Sequence, residues 1–190
     1  SKSEAVIVRD LRKVLTLARN DKFDEASQLM ESIKIIAPNY FEVFRVAAFM
    51  AVMMKDYVLA NEYYEIAIET DEDRPQLFLW YGGFRMRYLN DHEGAAVQFE
   101  RALQLDKKSS MVLREYARNM LILSQFEKAE GLIHDARAEG GNVAFKDELV
   151  LNDLNAQIFI RRSEESVRVG DYKYALEDLK KIRNFISSID

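Results

Sequence analysis

No cysteine occurs in the chain, which excludes disulfide frameworks, thiolate zinc sites and cysteine nucleophiles. Two prolines and seven glycines in 190 residues leave little sequence for linkers. The two histidines, His92 and His134, stand far apart, and neither has HxxxH or HxxE company for a metal, so each reads as an ordinary surface or capping residue. No apolar run approaches the roughly 20 residues needed to span a bilayer, and no signal peptide begins the chain. Ser1 in place of an initiator Met points to a processed chain or an excised piece, and we expect a module cut from a longer protein. The expected compartment is the cytoplasm.

Basic excess is also missing. Lys and Arg number 27 against 32 Asp and Glu, a net charge of −5, whereas a general nucleic-acid binder needs positive charge to displace counterions. Gly82-Gly83 has no following Lys-Ser/Thr and so is not a phosphate loop. Asp71-Glu72-Asp73 lacks the Asp-x-Asp-x-Asp-Gly spacing of a calcium loop and reads as a solvated turn. Asp147-Glu148 and Glu164-Glu165 are adjacent on helices and point different ways, which is wrong for an acid/base pair. The sequence therefore predicts no catalytic residue, no cofactor and no metal.

What the chain does contain is a pattern. In Asn90 to Leu105, NDHEGAAVQFERALQL, residues Ala95, Phe99 and Ala102 fall at i, i+4 and i+7 of one helix face, a large residue between two small ones. The spacing recurs as Ala26/Met30/Ile33, Ala60/Tyr64/Ala67, Ala129/Ile133/Ala136 and Ala175/Leu179/Ile182. Its leading alanines stand 34, 35, 34 and 46 residues apart. A polar turn precedes each: Asp21-Lys22-Phe23, Lys55-Asp56-Tyr57, Asn90-Asp91-His92, Ser124-Gln125-Phe126 and Gly170-Asp171-Tyr172. Such turns end one helix and cap the next, so the unit is a helical hairpin. Helices are expected at 4–19, 23–37, 40–54, 57–70, 75–89, 92–105, 110–123, 126–138 and 172–189, with Gly140-Gly141 breaking the chain and one long helix over 145–169 filling the wider last gap.

These residues resemble the tetratricopeptide repeat (TPR) family, whose period is about 34 residues with a W-x2-L-G-x2-Y, A-x3-F, P pattern. The third copy is the nearest to it, with Leu79, Gly82, Gly83 and Met86 in its first helix and Ala95, Phe99 and Ala102 in its second. Phe44/Ala47/Ala48/Ala51 and Leu113/Tyr116/Ala117/Met120 take the equivalent places in copies two and four, and the closing proline survives only as Pro38. The resemblance implies an all-α fold, a right-handed α-α superhelix of about five hairpins in one repeat domain over 1–190, with repeats at about 4–38, 40–73, 75–108, 109–141 and 145–190. End copies should be atypical. Copy one puts Asp10 and Lys13 at core positions unless its phase shifts by one residue to Leu11, Val14, Leu15 and Ala18, and copy five puts Arg162, Ser163 and Ser166 there.

In this family the first helices line a concave surface that holds an extended peptide or a partner helix. The inward positions would be Glu42, Arg45, Phe49, Val52 and Met53 in copy two, Leu77, Trp80, Phe84, Arg87 and Tyr88 in copy three, and Met111, Arg114, Arg118, Leu121 and Ile122 in copy four. Of these, Arg45, Phe49, Met53, Trp80, Phe84, Arg87, Tyr88, Arg114 and Arg118 are the expected partner-binding residues, because arginine, methionine and aromatics are enriched at interfaces. Four arginines on one inner face repel unless solvated, paired or waiting for an anion, with Glu42 and Glu115 at hand to neutralise part of the charge. The family's two-carboxylate clamp for chaperone tails uses Lys and Asn, and its places here hold Leu11 and Leu15, Arg45 and Phe49, or Trp80 and Phe84.

The expected function is non-catalytic protein recognition by an adaptor or sensor that binds a protein or peptide, acidic in the first instance, without nucleic acid or membrane insertion. The alternative is a regulatory or oligomerisation region of a larger signalling or defence enzyme, self-associating through helix 172–189.

Overall fold

The computed structural model describes residues 2–139 and 145–187. It contains α1 (Lys2–Arg19), α2 (Phe23–Ile36), α3 (Phe41–Met53), α4 (Tyr57–Thr70), α5 (Pro75–Tyr88), α6 (His92–Leu105), α7 (Ser110–Ile122), α8 (Phe126–Glu139), α9 (Phe145–Arg168) and α10 (Tyr172–Ile186), and no strand among the described residues. Each expected helix is found within a few residues of its expected bounds, including the single long α9. The break expected at Gly140-Gly141 lies outside the described residues, as do the last residues of the expected 172–189 helix. Contacts divide the chain into two compact units, residues 1–84 and 85–190.

The turns inside the hairpins share one backbone device. Asp21, Lys55, Asn90 and Ser124 take positive φ of 59°, 60°, 53° and 57°, and Gly170 takes 84°. A left-handed residue after a helix turns the chain back so that the next amide can bond a carbonyl of the preceding turn. Lys22, Asp56, Gln125 and Asp171 each donate their N–H to the carbonyl five residues earlier, on Leu17, Ala51, Met120 and Ser166. In the third hairpin the bond runs from Asp91 to Arg85, six residues back, because α5 has 14 residues where α3 and α7 have 13. That extra residue is the source of the single spacing of 35. Asp56, Asp91 and Asp171 then cap the second helix by accepting from Leu59, Gly94 and Tyr174.

In the first unit, α1 packs on α2 and α3, and α3 on α4. Leu11, Val14 and Ala18 are buried, which settles the phase of the first copy one residue on from Asp10 and Lys13. The lead alanines Ala26 and Ala60 are wholly buried, letting the helix axes approach while Met30 and Tyr64 fill the remaining space. In the second unit, α7 packs on α6, α8 and α9, α8 also packs on α9, and α9 on α10. Ala95, Phe99, Ala102, Ala129, Ile133 and Ala136 are all buried there.

The last hairpin departs from the pattern. Leu179, expected as its large core residue, is 50% exposed, and the adjacent Asp178 is buried at 1%. Asp178 is buried against α9, where Arg162 is 5% exposed and donates from Nε and Nη2 to the two Asp178 carboxylate oxygens at 2.7 and 2.8 Å, with Nη1 reaching Glu130 at 3.0 Å. A buried guanidinium must be paired, and Asp178 supplies that pair. Ser163 and Ser166 are buried beside it, as the repeat phase predicts.

Candidate protein-binding surfaces

In the first unit the expected contact residues collect on α3 and the beginning of α5. Arg45 is half-buried, donates to Glu42 at 2.5 Å, and lays its guanidinium 4.7 Å above the Trp80 ring. Trp80 and Phe49 are 36% and 39% exposed, a large aromatic area to leave in water. Met53 is half-buried and packs on the first core cluster. Beside them, between α1 and α3, lies a cavity of about 230 Å³. Val8, Leu11, Leu15 and Val46 give it an apolar floor, and Arg12, Tyr40, Glu42 and Arg45 a polar rim. Arg12 is exposed and has no ion pair among the described residues. Burial first, then the nearby Glu42 carboxylate, pushes the Tyr40 hydroxyl above its ordinary value, so it is a neutral donor at the rim.

Phe84 does not belong to this surface. It is 3% exposed, and its ring lies 5.2 Å from Tyr64 and 6.4 Å from Tyr81, inside the core of the second hairpin. Tyr81 and Phe84, three residues apart on α5, both turn towards α4, which takes Phe84 off the inner face. Leu77 and Leu121 are corrected in the same way, at 0% and 2% exposure.

In the second unit Tyr88, Met111 and Ile122 are 46%, 53% and 41% exposed. Here the arginines are mostly spent on the protein itself. Arg87 pairs with Glu115, and Arg114 donates to Asp147 Oδ1 at 2.6 Å. Only Arg118, half-buried, lacks an ion pair among the described residues of this set. Of the four arginines, three are thus neutralised by Glu42, Glu115 and Asp147.

Both histidines are accounted for locally. His92 begins α6, with Nδ1 3.0 Å from Asn119 Oδ1 and Nε2 3.0 Å from Asn90 Oδ1. The Asn119 amide donates to the His92 carbonyl, so its oxygen is the atom facing the ring. His134 is exposed beside Asp135. Asn119, buried at 0%, was not foreseen; it ties α7 to the start of α6. No helix among the described residues is long and apolar enough to cross a membrane.

Comparison with known proteins follows the repeat. No protein-family model matches the chain. Human Superkiller complex protein 3 is 26% identical over 179 residues, covering 86% of this chain and 11% of that protein, so the chain spans about a tenth of its relative. Among solved structures, PilF of Pseudomonas aeruginosa superposes with a TM-score of 0.68 at 15% identity, over 97% of this chain and 93% of that one. YrrB, described as a TPR protein with an unusual peptide-binding site, gives 0.65 at 13% identity, over 93% and 84%. The chain has the tetratricopeptide-repeat fold. In TPR terms α1, α3, α5, α7 and α9 are first helices, and the Arg45–Trp80 pair and Arg118 stand on three of them.

Proposed function

We propose that this chain is a non-catalytic recognition module, an adaptor or sensor acting in the cytoplasm, that holds a peptide or a helix of a partner protein on its first helices. The observation that carries this reading is the half-buried Arg45 with the exposed Trp80 and Phe49 beside the α1–α3 cavity. A guanidinium resting on an indole is held in place before any partner arrives, so little side-chain entropy is lost on binding. The cavity is large enough for one leucine or phenylalanine side chain. Arg45, Phe49, Met53 and Trp80 form the contact set of the first unit, and Arg87, Tyr88, Arg114 and Arg118 that of the second. A preference for acidic partners now rests on Arg12 and Arg118, which have no ion pair among the described residues. The net charge of −5 argues against nucleic acid.

The test is a pull-down from lysate with mass spectrometry. Wild type is compared with Arg45→Glu/Trp80→Ala/Arg118→Glu, whose fold is verified by circular dichroism. All three positions are at least partly exposed, so the variant should remain helical. Capture of one protein by wild type and its loss with the variant is the expected result; each central contact is worth about 2 kcal/mol or more in affinity. Equal capture by both proteins refutes the assignment. The oligomerisation alternative has less behind it, since Lys173, Lys180 and Arg183, exposed on α10 against the acidic Glu177, would repel across any symmetric pair.

A further inference from the structure

The cavity between α1 and α3 joins an aliphatic floor to donors that the protein itself does not use. Val8, Leu11, Leu15 and Val46 make the floor, a lining that offers water no partner and suits a hydrocarbon group. On the rim, Glu42 and Arg45 satisfy one another at 2.5 Å. Arg12 has no ion pair among the described residues, and the Tyr40 hydroxyl has no hydrogen bond among them. Glu4 is close enough for Tyr40 to feel its charge, but it does not line the cavity. The rim is thus left with one positive charge and one hydroxyl donor, which together suit a carboxylate. Arg45 lines the cavity from α3 and also lies 4.7 Å above the Trp80 ring of α5, so the indole is the next surface in the row. Both walls belong to the described chain and contact each other directly, and a hairpin preceding α1 would stack on its other side.

We infer that the cavity takes a leucine- or phenylalanine-sized side chain of an extended partner segment, in which an acidic residue two positions to one side meets Arg12 and Tyr40 and an apolar residue two positions to the other side lies on Trp80. The spacing follows from the row of subsites. Alternate side chains of an extended chain share one face about 6.6–6.8 Å apart, and a single guanidinium, that of Arg45, bridges the cavity to the indole. Charge selects the acidic residue: a basic one in its place would face Arg12 with Glu42 already neutralised. The inference rests on the reading above that the first helices hold the partner, and it adds which residues of the partner they select.

The experiment uses the whole chain and two fluorescein-labelled peptides, GSGEALAFGSG and GSGFALAEGSG, which carry the pattern in the two chain directions, followed by fluorescence anisotropy. Saturable binding of one of them is expected. Val8→Phe, which fills the cavity from α1, weakens it about tenfold or more, the worth of one buried apolar side chain. Arg12→Glu weakens it severalfold, and lysine in place of the peptide's glutamate restores binding to the Arg12→Glu protein, the charge-swap coupling of a contacting pair. Arg12 is exposed, so its replacement leaves the helices folded, and the swap decides the matter if Val8→Phe loses helicity. No binding of either peptide, binding indifferent to Val8→Phe or to Arg12→Glu, or light scattering that finds a dimer lost with Val8→Phe overturns the inference. The pull-down variant leaves Val8 and Arg12 in place, so loss of capture there with neither peptide bound here keeps the first helices as the recognition surface and removes this pattern alone.

Discussion

Removing the Asp178 carboxylate is the sharpest probe of how the last hairpin is held. Arg162 and Asp178 are buried to 5% and 1% exposure and joined by two hydrogen bonds in a fork-to-fork geometry. Asp178→Ala leaves the guanidinium in the interface with Glu130 as its remaining ion-pair partner, and Glu130 is 39% exposed, where its charge is screened by water. Breaking a buried pair from one side costs about 3–5 kcal/mol. In a repeat array the loss is local, so hydrogen exchange is the right assay. Amides of α9 and α10 should exchange from about a hundredfold to a few thousandfold faster, at about 1.4 kcal/mol per factor of ten, with those of α3 and α4 unchanged. Arg162→Met/Asp178→Leu removes both charges together and should recover most of the loss. A single-variant effect under about 1 kcal/mol, or a double variant no better than the single, would refute the claim that this pair holds the hairpin.

Acid should act on the same place. Burial works to raise the Asp178 carboxyl, but the hydrogen bonds and charge of Arg162, aided by Lys181, outweigh it and hold the group below its ordinary value. A lowered native value means the stabilisation is fully present above about pH 4, the unfolded aspartate range, and fades as pH falls below it, which exchange measured across pH 2–5 will follow. Gly94→Ala and Gly131→Ala should move stability in opposite directions in urea titrations. A methyl at 94 runs into Asp91 Oδ2 and Arg85 Nε, breaking the α6 cap for about 1 kcal/mol, whereas a methyl at 131 meets nothing within 4 Å and gains up to about 1 kcal/mol of helix propensity. Lys55→Gly, at φ 60°, should stabilise by about 0.5–1 kcal/mol, and Gly170→Ala, at φ 84° in open space, should cost about as much, both read from thermal midpoints.

Helices and core were legible because they depend on spacing within about 15 residues. Ala95/Phe99/Ala102 declares a helix face from seven positions, and the polar turns mark its start. What the spacing could not report was which face of a first helix each large residue takes. Phe84 lies one turn from Trp80, yet a small rotation separates ring packing on Tyr64 from exposure. Among the partners of the arginines, Glu42 and Glu115 are legible from the sequence, whereas the Asp147 that neutralises Arg114 comes from the following first helix, 33 residues away, and is not. Arg162 at a core position reads, from spacing alone, as the atypical residue expected of a terminal repeat. A carboxylate at Asp178, in the equivalent layer of the next helix, was the signal that it was paired.

The tight turns at Asp21, Lys55, Asn90, Ser124 and Gly170 bear on how the chain comes off the ribosome. Each brings a first and a second helix together through hydrogen bonds that span only five or six residues. No hairpin has to wait for a distant strand or a chain terminus before closing, and contacts of such short range form fast. Synthesis can therefore proceed in instalments, with one hairpin folded while the next is still being made. The exposed apolar edge at any moment is then a single helix face, the smallest surface that a chaperone or a neighbouring nascent chain would find.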